Sequence, residues 1–238
     1  MEQVIQKSSN VGSAKLGLGL PSETLWNVFH RVGFGTPPQS GFPGEVSGRL
    51  RAHEKWKPIE QATMSYGYGI SVSLLQLARA YTIFATDGEL KSPTLVKRRE
   101  QDPLAEPNRI ISAQTAQAVR KMLEMAVQVG GTAPKAQVAG YRVAGKTGTA
   151  HKLEGRGYAA NRYISSFVGF APVSNPRLIV AVMIDEPSAG QHYGGALAAP
   201  VFSEVVGGAL RLMAVPPDAP MEKLVLPPAA APEIKEEV

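Results

Sequence analysis

Apolar residues that recur every three or four positions predict helices in the first half of the chain. The pattern predicts one helix over residues 22–33, with Ser22 as its cap, a second over residues 73–88 and a third over residues 112–130. Each segment ends at a glycine, the residue that commonly follows a helix end. Residues 35–48 contain prolines and glycines without a sustained period, so we expect a loop there.

Beyond Gly140 the hydrophobic pattern changes from a helical to a strand-like period. Residues 142–150, 164–171 and 177–184 are separated by glycine, proline and asparagine, which predicts an antiparallel set of three strands. The last of these is apolar on both faces, so we expect helices to cover it on both sides. Residues 198–213 are predicted to form one of those helices.

Composition permits a folded body with a sizeable core. The chain has 238 residues, of which 44% are hydrophobic and 19% are charged. It has no cysteine, which excludes disulfides and Cys-ligated zinc without fixing a compartment. The net charge of +5 suits an anionic or carboxylate-bearing ligand, although it also suits simple solubility. Residues 218–238 are rich in proline, alanine and glutamate and are predicted to form a disordered tail.

Membrane targeting is not evident in the sequence. The residues after Met1 are polar and amphipathic, unlike a signal peptide, and the apolar run 178–184 is too short to span a bilayer. We therefore expect any membrane anchor to lie outside this chain.

A strand carrying the KTGT motif, residues 146–149, is the most informative segment. Because side chains alternate along a strand, Thr147 and Thr149 are expected to point to one face, and Lys146 and Gly148 to the other. Gly148 has no side chain at a point where a second backbone must approach closely. The motif therefore predicts a cation beside an edge against which a substrate could lie.

A second polar motif, Ser8-Ser9-Asn10, stands near the start of the chain. Alone, three small polar residues indicate a helix cap or a turn. Together with the KTGT motif they resemble two of the three signatures of penicillin-binding proteins and serine β-lactamases. The third signature, Ser-x-x-Lys, does not occur: no serine has a lysine at the third position after it.

The KTGT motif also supports a rival interpretation as a phosphate-binding loop. Residues 140–147 fit G-x-x-x-x-G-K-[ST], and residues 180–186 imitate the acidic strand end of an ATPase. Such a loop requires a helix that begins at the lysine. No helical period follows Lys146, and the bulky residues 141–143 would crowd a loop that wraps phosphates, so this alternative is disfavoured.

The four histidines show no metal-ligand spacing, and we expect neither a metal site nor a cofactor. His192 and Tyr193 precede two glycines after the strand set. Tyr193 is a candidate for the wall of a binding cleft, although a role in lining a turn fits equally well.

Longer matches extend the resemblance to a single family. The chain resembles a class B penicillin-binding protein, most of all the division-specific type, over residues 2–217. The matching segments are residues 7–12, 66–72, 75–78, 145–150 and 167–172. The resemblance implies an α+β penicilloyl-serine-transferase fold, with an antiparallel sheet flanked by helices. It also implies that two strands and the helix bearing the nucleophile precede Met1, so that residues 1–217 are a partial transpeptidase domain.

The family further implies a function for the longer protein, here called the parent protein. That function is a D,D-transpeptidase that cross-links septal peptidoglycan at the periplasmic face of the bacterial inner membrane. Its expected ligands are the D-Ala-D-Ala end of the peptidoglycan stem peptide and β-lactams. Divisome membrane proteins are expected to bind through regions outside this chain, and no nucleic acid partner is expected.

Residue roles follow from the resemblance, motif by motif. Ser8 is expected to shuttle protons, Asn10 to hydrogen-bond the acyl-donor peptide, and Lys146 to keep the site electropositive. Thr147 and Thr149 are expected to bind the terminal carboxylate, beside Gly148 and Tyr193. The backbone N–H of Thr149 would form half of an oxyanion hole.

Two further readings stay open at this point. A β-lactam sensor or scaffold relative would lack the nucleophile altogether, and the nucleotide binder would use the same lysine for phosphate. For a transpeptidase, the missing Ser-x-x-Lys predicts that the chain by itself is inactive and poorly folded.

Overall fold

The computed structural model describes residues 1–97, 99, 101–102, 106–155, 157–188 and 190–221. The chain divides into two compact units, a motif unit of Met1–Gly12 with Ala118–Val238 and a helical unit of Ser13–Gln117. The helices are α1 (Glu2–Gln6), α2 (Asn10–Leu18), α3 (Ser22–Arg31), α4 (Pro58–Met64), α5 (Leu74–Ala85), α6 (Ala113–Val127) and α7 (Gly194–Leu212), and the strands are β1 (Ala144–Glu154), β2 (Gly157–Ala171) and β3 (Leu178–Asp185).

The described residues of the motif unit form a three-stranded antiparallel sheet in the order β1-β2-β3. The predicted antiparallel set is therefore confirmed, and so is the α+β class. Thr147 pairs with Phe167 and Thr149 with Ser165, while the intervening Gly148 pairs with Ser166. Phe167 is fully buried in the core, so the register turns Thr147 and Thr149 toward that core face.

Helix α7 covers the core face of the sheet. Its Phe202 packs edge-on against Phe167, with ring centroids 4.8 Å apart. By length and composition it is the one helix among the described residues that could cross a membrane, with a mean hydropathy of 1.2, although buried core helices meet the same criteria. The remaining fully buried side chains of the helix that join this core are Ala198, Ala199, Val206 and Leu210.

Strand β3 differs from its sequence-based expectation. Its residues are half-buried or exposed, and Met183 keeps 47% of its surface accessible. Within the described residues β3 is an edge strand, and Leu178, Val180 and Val182 pack against the core beside α7. The prediction of helices on both faces is wrong, because alternate apolar side chains satisfy one core face while the others remain partly accessible.

The predicted tail begins within the ordered part of the motif unit. Asp218 accepts hydrogen bonds from the backbone N–H groups of Arg142, at 2.7 Å, and Ser174, at 3.0 Å. Tyr141 donates from its hydroxyl to the Val215 carbonyl. The packed chain therefore continues past the predicted boundary at residue 217, and residues 222–238 lie outside the described residues.

The helical unit is organised by the fully buried Gln76. Ser73 and Gln76 form a capping box at the start of α5. The Gln76 amide also donates to the carbonyls of Gly33, Thr36 and Ser47. These bonds anchor the predicted loop over residues 35–48, which contains no helix or strand.

Helix boundaries confirm the predicted segments with local corrections. The segments predicted at 22–33, 73–88 and 112–130 are found as α3, α5 and α6. Pro21 occupies the cap position of α3, so the prediction of a Ser22 cap is wrong. Helix α7 begins at Gly194 rather than at residue 198, and the short helices α1, α2 and α4 were not anticipated because they are only 5, 9 and 7 residues long.

Candidate active site

Ser8 lies between α1 and α2 with a backbone φ of 56°. A residue with a side chain adopts this left-handed conformation at a cost of ~1–2 kcal/mol. The neighbouring Ser9 accepts a hydrogen bond from the N–H of Gly12 and so acts as a local cap for α2. The Ser8-Ser9-Asn10 motif therefore contains a helix cap, but the cap is Ser9, and Ser8 points elsewhere.

Lys146 brings the two sequence motifs together. Its half-buried ammonium nitrogen donates to Ser8 Oγ at 2.7 Å, to Thr147 Oγ1 at 3.1 Å and to the Thr147 carbonyl at 3.2 Å. The arrangement places a cation directly on a serine hydroxyl. Such a hydroxyl is held in one orientation and is polarised by the adjacent charge.

The structure excludes the phosphate-loop interpretation of the same lysine. Lys146 is the third residue of β1, and the strand continues to Glu154 without a helix. The free N–H groups of a helix N-terminus, which hold the phosphate in such loops, are therefore not present at this lysine.

The two threonines of the motif have different surroundings. Thr147 is 6% exposed, and its hydroxyl lies 2.9 Å from that of the equally buried Thr132. Thr149 is half-buried, and its hydroxyl accepts a hydrogen bond of 3.1 Å from the backbone N–H of Gly194. Both hydroxyls are therefore fixed by partners within the motif unit.

Gly148 is closely packed within the chain itself. A Cβ atom at this position would lie 2.6 Å from Ser166 Oγ. On the other side, a Cβ atom at Gly194 would lie 2.8 Å from the Gly148 carbonyl oxygen and 2.3 Å from that of Ser166. The backbone that approaches Gly148 closely is thus that of Gly194, the first residue of α7.

Tyr193 occupies the cap position of α7, next to Gly194. Its ring lies 4.4 Å from that of His192, which stacks on Tyr163 at 4.0 Å with an interplanar angle of 12°. Asn10 is the half-buried first residue of α2, two positions after Ser8. Its expected contact with a peptide stays a prediction.

Three residues at the site were not predicted from the sequence. Thr132 and Ser165 are buried hydroxyl residues that touch Thr147 and the segment before α7, respectively. Gly194 supplies the N–H for Thr149. Only the glycine gave a signal, as part of the Gly194–Gly195 pair, because buried serines and threonines look like ordinary strand or turn residues in a sequence.

An ion-pair network lies at the far end of the sheet. Lys152 donates to Asp185 and to Glu186, and Arg162 donates to Glu186 at 2.5 Å. The hydrogen bonds from Arg162 and then Lys152 lower the pKa of Glu186 from 4.5 to about 2. The described residues contain no group of three or more histidine, aspartate or glutamate side chains suited to a metal ion.

Comparisons with known proteins find relatives of this chain. The penicillin binding protein transpeptidase domain family matches residues 1–207. A probable peptidoglycan D,D-transpeptidase PenA of Neisseria flavescens is 46% identical over 92% of this chain and 54% of the relative. The peptidoglycan D,D-transpeptidase FtsI of Escherichia coli K12 is 42% identical over 91% of this chain and 36% of the relative.

A solved structure extends the likeness to three dimensions. The apo structure of the TP domain from Burkholderia pseudomallei penicillin-binding protein 3 has a TM-score of 0.85 and 52% identity, covering 92% of this chain and 66% of that chain. The chain thus spans about half, or less, of the length of the curated relatives named above. With its two motifs joined at Lys146 and Ser8, the chain belongs to the penicillin-binding protein transpeptidase domain family.

Proposed function

We propose that this chain is the C-terminal portion of a peptidoglycan D,D-transpeptidase that binds penicillin and cross-links septal peptidoglycan. Residues 1–217 are proposed as part of its transpeptidase domain. The observation that carries the proposal is the contact between Lys146 Nζ and Ser8 Oγ, which joins the two family motifs in one site. No Ser-x-x-Lys occurs in these 238 residues, so the acylated serine belongs to another part of the parent protein.

The proposed reaction proceeds through an acyl-serine. The nucleophilic serine loses its proton to the lysine of its own motif and attacks the carbonyl carbon of the penultimate D-Ala. The peptide bond breaks, and the terminal D-Ala leaves after its nitrogen gains a proton. The amine of a second stem peptide then attacks the acyl-serine carbonyl and gives up a proton as the cross-linking peptide bond forms. The ester bond breaks, and the serine oxygen regains a proton.

The residues of this chain serve that reaction by binding and by charge. Ser8 relays protons between the nucleophile's base and the leaving amine, and Lys146 polarises Ser8. Thr147 and Thr149 hold the terminal carboxylate. The N–H of Thr149 stabilises the oxyanion, an interaction whose loss typically costs roughly a hundred- to a thousandfold in rate.

The position of β1 supports peptide binding. Among the described residues β1 is an edge strand, so its outer side can pair with an extended peptide in the manner of an added strand. Asn10 and Tyr193 are proposed to contact the stem peptide beside this strand. A β-lactam, which carries a carboxylate next to its reactive carbonyl, would occupy the same place.

The cellular setting is proposed from the relatives. FtsI and PenA are named as peptidoglycan D,D-transpeptidases, and septum formation fits the FtsI likeness. We place the parent protein at the periplasmic face of the inner membrane, with divisome contacts made by regions outside this chain.

A second candidate is a β-lactam sensor or scaffold protein without catalysis. The observation in its favour is that Ser-x-x-Lys does not occur in this sequence. In such a protein the Lys146 site would bind a β-lactam reversibly, and no covalent adduct would form.

Covalent labelling with fluorescent penicillin separates these functions. We expect the parent protein to be labelled on the serine of a Ser-x-x-Lys motif and the 238-residue chain alone to remain unlabelled. Reversible binding without a covalent adduct in the parent would favour the sensor. Labelling of the isolated chain would show that the acylated serine lies within this chain, which would overturn the proposal. A serine such as Ser8 would then be the nucleophile.

A further inference from the structure

The segment from His192 to Gly194 joins the β3 side of the sheet to α7, and contacts with β2 and β1 hold it. The His192 ring stacks on Tyr163 of β2, with ring centroids 4.0 Å apart. The His192 carbonyl accepts a hydrogen bond from Ser165 Oγ. The N–H of Gly194 donates to Thr149 Oγ1 of β1 at 3.1 Å.

Ser165 is unusual among these contacts because it is fully buried and polar. Its exposed fraction is 0%, and its hydroxyl donates to the carbonyl two residues before Gly194. Removing such a hydroxyl leaves a carbonyl without its partner, which costs more than the bond itself contributes. Movement of the His192 carbonyl toward other hydrogen-bond donors would then lower the free energy.

Ser165 and Thr149 act on the same short segment from neighbouring strands. They are directly opposed in the β1–β2 register. One therefore holds the carbonyl of His192 and the other receives the N–H of Gly194, which fixes the segment at two points. Loss of the first point frees the second to shift.

The Gly194 contact matters because of what it does to the Thr149 hydroxyl. Gly194 is the first residue of a 19-residue helix, where N–H groups have no partner inside the helix and carry the positive end of its dipole. A hydroxyl that accepts from such an N–H is oriented, and it becomes a stronger donor through its own proton. The carboxylate-binding role proposed for Thr149 needs that donor.

Gly194 has little free space around it, so the position of the segment and the Thr149 hydroxyl are closely coupled. A Cβ atom there would lie 2.3 Å from the Ser166 carbonyl oxygen and 2.8 Å from that of Gly148. The backbone of α7 therefore rests directly on the strands. A small displacement of the segment changes the Gly194–Thr149 distance instead of being absorbed by a flexible side chain.

We propose that Ser165 is a positioning residue for carboxylate recognition, which holds the His192 carbonyl so that the Gly194 N–H orients the Thr149 hydroxyl. The inference rests on the proposed function for its effect on acylation. Its structural part, that Ser165 fixes the position of the Gly194 N–H, does not depend on that function.

Two serines offer a matched pair of substitutions in the parent protein. Ser165→Ala removes the hydroxyl that donates to His192. Ser203→Ala removes a comparable hydroxyl on α7, which donates to the Gln137 carbonyl at 2.6 Å. We expect Ser165→Ala to slow acylation by penicillin roughly tenfold, and Ser203→Ala to change it by less than about twofold.

Amide hydrogen exchange reports whether the segment from His192 to Gly194 keeps its position, and it does not require an active enzyme. Exchange of the Gly194 N–H should accelerate in Ser165→Ala and in Thr149→Val, which removes the acceptor, but not in Ser203→Ala. Ser165→Cys, which keeps a side chain of similar shape but replaces the hydroxyl with a weak thiol donor, should accelerate it too and serves if Ser165→Ala does not fold. Unchanged Gly194 exchange in a folded Ser165→Ala protein, or in Ser165→Cys in its place, overturns the inference.

A double-mutant cycle separates positioning from a general loss of stability. If Ser165 acts through Thr149, the effect of Ser165→Ala on acylation should fall within about twofold in the Thr149→Val background. A full tenfold effect in that background would show that Ser165 acts by another route and would overturn the inference. If the unsubstituted parent protein is not acylated at all, the proposed function fails. The exchange measurement by itself then tests whether Ser165 fixes the position of the Gly194 N–H.

Discussion

Lys146 Nζ lies 2.7 Å from Ser8 Oγ, although the two residues are 138 positions apart in the sequence. Ser8 reaches this contact from a left-handed backbone conformation, with φ at 56°. Strained backbone of this kind persists where the surroundings fix it, and it is common at functional sites. The contact is therefore the first place to test the site by substitution.

Lys146→Met should slow acylation of the parent protein by a β-lactam roughly a hundredfold or more, similar to the loss of one preorganised donor from an oxyanion hole. The substitution keeps an unbranched side chain in the half-buried position but removes the cation from Ser8 and Thr147. Stopped-flow acylation rates measure the effect, with thermal unfolding as a check on folding.

Lys121→Met provides the control for that experiment, because Lys121 is an exposed lysine on α6. It should leave the acylation rate unchanged. A Lys146→Met rate within about threefold of the unsubstituted protein would show that Lys146 has no catalytic role.

Thr149→Val should weaken acylation by penicillin, whereas Thr149→Ser should have a mild effect. Valine keeps the volume but removes the hydroxyl that accepts from Gly194, and serine retains a hydroxyl. The second-order acylation rates of the two variants measure the difference. Equal losses would show that the shape of the strand matters and the hydroxyl does not.

Acidification should weaken the ion-pair network at Glu186. Its pKa is lowered from 4.5 to about 2, chiefly by Arg162 and then by Lys152, so its stabilising effect is complete above pH 4.5 and is lost as the pH falls toward 2. The thermal midpoint of the parent protein should therefore approach that of Glu186→Gln over this range. A gap between the two proteins that does not change with pH would contradict the prediction.

Gly195→Ala should destabilise the parent protein by ~1–3 kcal/mol, the usual cost of overpacking. An alanine Cβ there would lie 2.1 Å from the Thr132 carbonyl oxygen and 3.5 Å from Thr147 Cγ2. Gly208→Ala on the same helix has open space and should be neutral or stabilising by ~0.5–1 kcal/mol. Chemical denaturation measures both changes, and equal midpoints for the two variants would disprove the close packing.

The periodicity of apolar residues predicted much of the secondary structure. The three strands lie where alternation and glycine or proline breaks predict them, and α3, α5 and α6 lie where apolar residues recur at helical spacing. The predicted sharing of one face by Thr147 and Thr149 also holds, because the register pairs them with Phe167 and Ser165. These features depend only on backbone geometry over a few residues.

The burial of β3 could not be predicted from its local sequence pattern. Its apolar run looks the same whether a strand is covered on one face or on two. Met183 remains 47% exposed, while Val180 and Val182 pack against the core. Which face is covered depends on where α7 packs, and the strand's own residues do not encode that.

By itself the sequence determined the strand that carries the KTGT motif, the common face of its two threonines and the resemblance to a family, because these follow from the order and spacing of residues. Only the tertiary structure decided that Lys146 meets Ser8, that Gly194 meets Thr149 and that the buried Ser165 holds His192. Each of these contacts joins residues 27 to 138 positions apart. Their distances are set by how the sheet, α7 and the chain start pack together, which no short-range pattern specifies.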